Sequence, residues 1–565
     1  MIRLLFTFGG TPMFRISCFL VTAVAVLPLA ALLWIVRAGG AHEGKESPLP
    51  AGALKRLNAR PTKAPRPDDY YVNALAFSPD SKTLAVWCGD TIRFWELPQA
   101  KEKTDRRLGP AAPGWAPGWG EEPIMHSLAY SPDGRILATH GHRELGFKLW
   151  DATSGKRRFK CEESAGGQSL TFSPDGQVVA SVVAGGVRLR SVKDGKEMGL
   201  LDIQPGVVGR KRSRGDICAA FSPDGRLLAS GGATYGAERS EGEIRLWDWR
   251  AGKVVAQFRT AENQVNGVEF SPDGKLLASC PGYHGPTIWL WDMLTGSSIH
   301  RLCKLKGDTA YPVFWVAFSP DGQLVASAQG GEKAVRVWNP FTGEEVAKFV
   351  PPDSRGVICV AFSPDGKLLA SGQGNGTVIL WDATKLAPVK PLQPTADELA
   401  RWWAQLGRKD KAAWEAVWSL ARSGDKATAL LKDHLKPAQA PEAKQVARLI
   451  ADLDANDFKA REAASRELAR LGGAVEADLR KALAGDPSAE AKKRLEGLLK
   501  PLAAGFVTDP AELRQLRGIQ VLEQLGTPEA KKLLQALARG APGARRTRDA
   551  QLALDRLHRR QSPPR

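Results

Sequence analysis

The chain has 565 residues, with 79 Lys and Arg against 61 Asp and Glu and a formal net charge of +18. Hydrophobic residues at 43% and charged residues at 25% make an ordinary globular composition, which excludes a mainly disordered or collagen-like protein, and the length suffices for several domains. Trp (17) far outnumbers Tyr (6), an imbalance that a recurring motif containing Trp explains. The positive balance favours acidic partners without naming one.

Residues 16–36 run without a charge between Arg15 and Arg37, long enough to cross a bilayer. The segment is expected to be an uncleaved anchor, with a secretory signal cleaved near Gly39-Gly40-Ala41 as the alternative. Arg3, Arg15 and the α-amine lie on one side, and Arg37, Glu43, Lys45 and Glu46 mix on the other. This asymmetry keeps residues 1–15 in the cytoplasm and makes the chain a single-pass membrane protein whose bulk is extracytoplasmic, or secreted after cleavage. Residues 37–67 read as a linker.

Beyond the linker a short phrase recurs: FSPDS at Phe77, YSPDG at Tyr130, and FSPDG at Phe172, Phe221, Phe270, Phe318 and Phe362. A second phrase follows each, at Trp95-Glu96, Trp150-Asp151, Arg190-Ser191, Trp247-Asp248, Trp291-Asp292, Trp338-Asn339 and Trp381-Asp382. Seven units of this period mean a closed array. Each unit reads as a buried strand, the Ser-Pro-Asp-Gly turn, a second strand, a third with alternating faces, and a fourth before the next unit. In that turn Pro364 presets φ and Gly366 supplies a positive φ.

These residues resemble the WD40 family, and the resemblance implies a seven-bladed β-propeller over residues 68–392, with four-stranded blades around a central channel. Two departures stand out: the family's Gly-His is mostly missing (Gly307-Asp308 is its nearest echo), and Arg190 replaces Trp in the third unit. The buried hydrogen-bond network that the family implies is therefore expected to be incomplete, although Thr139, Ser181, Ser230, Ser279, Ser327 and Ser371 keep its second-strand hydroxyl. The outer strand of the seventh blade can come from residues 53–58 or from 388–392, and both stay open.

The Ser-Pro-Asp-Gly turn never changes length. Insertions fall between the second and third strands and between the fourth strand and the next unit, which in an antiparallel blade lie on one face of the disc. That face is the expected binding surface, because loops vary where the scaffold does not need them. Its candidate partner-binding residues are Trp115 and Trp119 in 101–123, Arg210, Lys211, Arg212 and Arg214 in 206–216, Tyr235 in 233–243, and Tyr283 and His284 in 281–287. Exposed aromatic and Arg side chains are the usual anchors of protein interfaces.

After Thr384 Gly thins out and Ala, Leu, Lys, Arg and Glu take helical spacing, so an all-α domain is expected over 393–558, with a basic tail at 559–565. Thr395 and Glu398 form a capping box. Trp414 and Trp418 read as a packed face. Residues 457–472 resemble a HEAT or armadillo repeat and 520–539 echo it, which implies a short stack of helix pairs.

The seven cysteines, Cys18, Cys88, Cys161, Cys218, Cys280, Cys303 and Cys359, form no CxxC pair, so neither a disulfide framework nor a zinc site is expected. No nucleotide-binding, nucleophile-elbow or HExxH spacing occurs, and His140 with His142 lacks further ligands. No catalytic residue, cofactor or metal is therefore expected. The leading expectation is a non-catalytic, membrane-tethered scaffold binding protein or peptide partners through the loop-rich face and a helical surface. A nucleic-acid-associated or regulatory binding protein, or a propeller enzyme with an unrecognised site, are the alternatives, and no small-molecule ligand is specified.

Overall fold

A computed structural model describes residues 48–59, 71–89, 91–108, 127–140, 147–161, 169–183, 185–202, 218–235, 240–260, 264–281, 287–302, 313–352, 354–386 and 390–561. Each repeat forms one four-stranded antiparallel sheet, and the innermost strands of successive sheets pack side by side. Blades 1 to 6 are continuous in sequence: 72–108, 127–161, 170–202, 218–259, 267–302 and 313–349. Blade 7 is composite. Its inner three strands span 357–382, and its outer strand is Ala53–Asn58, paired antiparallel with Thr377–Asp382 from Asn58 opposite Thr377 to Ala53 opposite Trp381. The expected linker over 37–67 thus contains the strand that closes the ring, which belongs to the propeller.

The repeated phrases become repeated geometry. In every Ser-Pro-Asp turn the Ser hydroxyl donates to the Asp carboxylate, and the amide two residues after that Asp donates to the same oxygen, as in Ser78 to Asp80 (2.6 Å) and Lys82 N to Asp80 (3.0 Å). Gly366 takes the positive φ its turn requires, +72°. The indoles of Trp150, Trp247, Trp291, Trp338 and Trp381 donate to Thr139, Ser230, Ser279, Ser327 and Ser371 at 2.9–3.1 Å, joining the third strand to the second. Blade 1 has Val86 at the hydroxyl position. Blade 3 has Arg190, which donates to the Gly195 carbonyl and pairs with Glu197. Both blades still form, because burial of Leu84 or Val179 and the strand ladders carry most of their stability.

After the ring the helices run in order α1 (Ala396–Gln405), α2 (Lys411–Ala421), α3 (Gly424–His434), α4 (Ala443–Asp452), α5 (Phe458–Leu471), α6 (Glu476–Ala484), α7 (Ala489–Ala504), α8 (Pro510–Leu525), α9 (Pro528–Leu537) and α10 (Arg545–Gln561). The capping box forms: Thr395 N donates to Glu398 at 2.9 Å, and Glu398 N donates to the Thr395 hydroxyl at 3.3 Å. The pairs α4–α5 and α6–α7 stack α4 on α6 and α5 on α7, around Leu453, Leu468, Leu479 and Leu495. Helix α8 touches α1, α2, α3, α9 and α10 and is the hub of the remainder. Leu49–Arg565 forms one compact unit, so the ring and the helices pack together instead of standing as separate domains. Among the described residues no helix is long and apolar enough to cross a membrane. The expected anchor at 16–36 lies outside them.

Glu269 breaks the repeat. It precedes Phe270 where the other units have Ala76, Ala129, Thr171, Ala220, Ala317 and Ala361. Its carboxyl accepts from the Phe318 amide at 3.2 Å, which ties the innermost strands of blades 5 and 6 together, and burial pushes its pKa up to about 8. A carboxyl raised by desolvation favours folding while protonated in the native state, and that contribution is lost as pH rises through about 8.

Two outcomes follow from this packing. Leu57 of the closing strand is 3% exposed and Leu54 is 46% exposed. Leu57→Ala is expected to cost about 2–4 kcal/mol in urea unfolding and Leu54→Ala under about 0.5 kcal/mol; equal costs would mean that residues 53–58 do not close the ring. Glu269→Gln keeps an acceptor for Phe318, so its melting temperature should exceed that of the parent more at pH 9 than at pH 5. A difference that does not change with pH would refute the buried-carboxyl account.

Candidate functional site

The strand ends that border the insertions lie on one face of the disc. Residues 101–123, expected as one loop, begin instead with the outer strand of blade 1, Lys101–Leu108. Those at 233–243 are largely an extended hairpin, in which Leu227–Tyr235 pairs with Ser240–Asp248 and Tyr235 stands opposite Ser240. Its greater length follows from continued pairing. Trp115, Trp119, Arg210, Lys211, Arg212, Arg214, Tyr283 and His284 lie outside the described residues, so of the candidate set only the backbone position of Tyr235 is defined.

The opposite face, which carries the Ser-Pro-Asp-Gly turns and the turns after the Trp-Asp phrases, is where the helices dock, on blades 4 to 6. Two turns present apolar residues at their third position: Leu294 in blade 5 and Phe341 in blade 6, each 1% exposed. Leu294 packs with Leu513 and Leu516 of α8. The Phe341 ring stacks on Trp418 at 5.3 Å and lies 6.1 Å from Trp414. The Trp pair read as a packed face is therefore packed against the propeller. Phe506, between α7 and α8, covers Gly296, where a Cβ would stand 2.7 Å from its ring, and Val507 N donates to the Leu294 carbonyl at 2.6 Å.

Polar groups fix the register of this contact. Asp292, the acid of the blade 5 Trp-Asp phrase, caps its own turn through Leu294 N at 2.8 Å, and its other oxygen accepts from the Trp414 indole at 3.2 Å and from Arg517. Arg517 and Asp292 are 0% and 1% exposed. The Arg517 guanidinium also donates to the carbonyls of Leu406 and Arg408, so one side chain joins α8, the end of α1 and the ring. One helical turn on, Gln520 donates to Asp273 at 2.7 Å and Gln524 to the Asp321 carbonyl at 3.2 Å. Lys275 Nζ reaches the Leu516 carbonyl at 3.3 Å, and Gln323 donates to Gln524 at 3.0 Å.

Burial pushes the Asp273 carboxyl up, but Lys275, Arg556 and the bonds from Ser271 and Lys275 N outweigh it and hold the group below the ordinary carboxylate range. Burial lowers the Lys275 ammonium despite Asp549, Asp273 and Glu523 nearby. The basic run from Arg545 also proves partly internal. Arg556 and Arg560 bond Glu523, which is 1% exposed, and Arg546 bonds Glu512 at 2.9 Å. The positive charge expected to await an acidic partner there is in good part neutralised within the fold.

This docking surface was not anticipated, yet it left a trace. The third position of the turn after the second phrase is polar in Thr153, Lys193, Arg250 and Thr384, is Pro98 in blade 1, and is a large apolar residue in Leu294 and Phe341. In α8 the polar residues Arg517, Gln520 and Glu523 recur every three residues and are all buried. Cys88, Cys218, Cys280 and Cys359 are buried and unbridged, and among the described residues no cluster of His, Cys, Asp and Glu could hold a metal ion.

With the ring established, the comparison with known proteins is decisive for its repeats. The family model described as WD domain, G-beta repeat matches residues 211–248, 252–292, 299–339 and 343–382. Blades 4 to 7 match WD40 repeats. The chain is 32% identical over 185 residues to the cross-pathway control WD-repeat protein 2 of Flammulina velutipes, covering 31% of this chain and 51% of that one. It is 32% identical over 180 residues to the small ribosomal subunit protein RACK1y of Oryza sativa subsp. japonica, covering 31% and 47%. It thus spans about half the length of these curated relatives. The solved β-propeller domain of Cps50 (Swd1) from Myceliophteria_thermophila aligns at 18% identity over 55% of this chain and 97% of that one, with a TM-score of 0.46. The matched WD40 repeats are blades 4 to 7 and include all three that meet the helices.

Breaking a buried ion pair on one side leaves an uncompensated charge. Arg517→Met is therefore expected to cost about 3–5 kcal/mol, and combination with Asp292→Asn should cost less than the two singles together by about 1–3 kcal/mol in a double-mutant cycle. Additive losses in urea unfolding would show that the pair does not act as a unit.

Proposed function

We propose that this protein is a non-catalytic interaction scaffold, tethered to a membrane by residues 16–36, whose WD40 ring presents its insertion-bearing face to a protein or peptide partner. The observation that carries this reading is the docking of the helices on the short-turn face of blades 4 to 6, which leaves the face from whose strand ends the insertions start for a partner. Loops holding Trp115, Trp119 and the 210–214 basic run supply large amphipathic anchors there, the residue types that concentrate binding energy at interfaces. The α4–α7 stack offers a second surface. The tether would raise the effective concentration of partners beside the membrane, and the charge flanks of residues 16–36 favour an extracytoplasmic bulk. Pairing of Arg546, Arg556 and Arg560 within the fold weighs against an extended nucleic-acid surface on this helix, since tracking a phosphate backbone needs many unpaired cations.

The test is affinity purification from washed membranes with three chains: intact, lacking 109–123 and 206–216, and lacking 1–47. The loop deletion should lose most partners while keeping its melting temperature, and the chain without 1–47 should leave the membrane fraction. An unchanged partner set overturns the face assignment; retention on membranes overturns the tether.

A further inference from the structure

The helices do not seal against the ring everywhere. A cleft of about 940 Å³ remains between the blade 4 turn and the ends of α5, α7, α8 and α10, within the size range of small-molecule sites. Five arginines line it, along with Lys436, Glu442, Glu476, Asp509 and Glu512. Arg470 and Arg546 are paired with Glu467 and Glu512, and the other three are Arg226 from the ring and Arg545 and Arg548 from the first turn of α10. Arg226 occupies the position after the Ser-Pro-Asp-Gly turn, which in the next two blades is Lys275 and Gln323, both bonded to α8. Neither Arg226 nor Arg548 has a carboxylate partner among the described residues. Arg545 donates to the Gly505 carbonyl and stands 4.0 Å from Asp549, while its Nε is buried without a hydrogen-bond partner.

The three charges are close. A Cβ on Gly505 would lie 4.0 Å from Nη1 of Arg226 and 4.0 Å from Nη1 of Arg545, so the glycine floors an open space between a ring guanidinium and a helix guanidinium. Burial lowers the Arg545 guanidinium from its usual value; Asp549 and Glu512 raise it, but the charges of Arg548 and Arg226 add to the lowering. Of the acids close by, Asp549 stands 4.0 Å from Arg545 and Glu512 is engaged by Arg546. The first turn of α10 has no acidic residue, so the helix dipole adds to the positive field. Like charges held together at a low-dielectric surface are costly unless an anion lies between them.

We propose that this cleft binds a phosphate group, carried by a small phosphate ester or by a lipid headgroup, with Arg226, Arg545 and Arg548 as its ligands. A phosphate monoester carries between one and two negative charges at neutral pH and three acceptor oxygens, which suits three guanidinium forks; a single carboxylate would leave more of the charge unmatched. Because Arg226 belongs to the ring and the other two to α10, the bound group would also clamp the helices to blade 4.

The full chain in detergent is titrated calorimetrically with glycerol 3-phosphate and with short-chain phosphatidic acid. Saturable binding of at least one is expected, and Arg226→Gln with Arg548→Gln should weaken it about tenfold or more without lowering the melting temperature, since neither side chain has a partner to lose. Arg545→Lys, which keeps the charge and loses the fork, should weaken it several-fold, and Arg401→Gln on α1, outside the cleft, should leave it unchanged. Binding of both probes identifies a soluble ester as sufficient; binding of phosphatidic acid alone identifies the lipid source. Binding of neither, an unaltered affinity in the double variant, or an equal loss in Arg401→Gln overturns the proposal.

Discussion

The contact between Asp292 and Arg517 is the constraint on which the rest of the arrangement depends. Two opposite charges removed almost wholly from water need other partners besides each other, and here those partners come from three places, leaving only Arg517 Nε unbonded among the guanidinium nitrogens. Asp292 is already committed to its own turn, so its position is set by the blade before any helix arrives. Arg517 is held by the carbonyls at the end of α1 and just beyond it, so its position is set by the helices. The pair can form only if ring and helices meet in one register. The surrounding apolar contacts of Leu294, Phe341, Trp414 and Trp418 supply area, but area alone would tolerate a slide of one turn. The buried charges would not.

That register determines what the disc can offer. Docking over blades 4 to 6 uses the turns that every WD40 unit keeps short, and short rigid turns make a flat platform for a helix such as α8. The insertions start from the strand ends of the other face, away from this platform. A closed ring is also insensitive to which face is loaded, because its seven blades hold each other through their inner strands. Closure by residues 53–58 is what permits this: a strand from before blade 1 completes blade 7, so separating the ring's ends requires breaking a full ladder of hydrogen bonds.

Much of this was legible in the amino-acid sequence because propellers and helices are periodic. The seven paired phrases located every blade, the Ser-Pro-Asp-Gly spacing located every tight turn, and the Thr395-Glu398 cap located the first helix to within a residue. The choice between 53–58 and 388–392 was not legible, since either segment is short, apolar enough and near a chain junction. Pairing over blade 7 is a long-range event that no local pattern records. The candidate loop residues remain expectations read from sequence, as only Tyr235 has a defined position, and the docking surface escaped notice for the opposite reason: it was searched for among the insertions, whereas it lies in the most regular part of the repeat.

A periodic scaffold that meets a non-periodic partner must encode the meeting in departures from its own period. Leu294 and Phe341 are such departures, since equivalent turns carry Thr153, Lys193, Arg250 or Thr384 and have no need of an apolar residue facing water. Glu269 is another, placed where neighbouring units have Ala or Thr and bonded to the next blade. Arg226 keeps the common residue type of its position, whereas the next two blades turn theirs toward α8. In a repeat protein the conserved phrase reports how the ring stands, whereas position-by-position comparison of its units reports what each blade touches. The net charge of +18 follows the same rule: as a total it identifies no partner, but sorted by position it separates arginines satisfied within the fold, such as Arg517 and Arg556, from the few that face open space without a counter-charge.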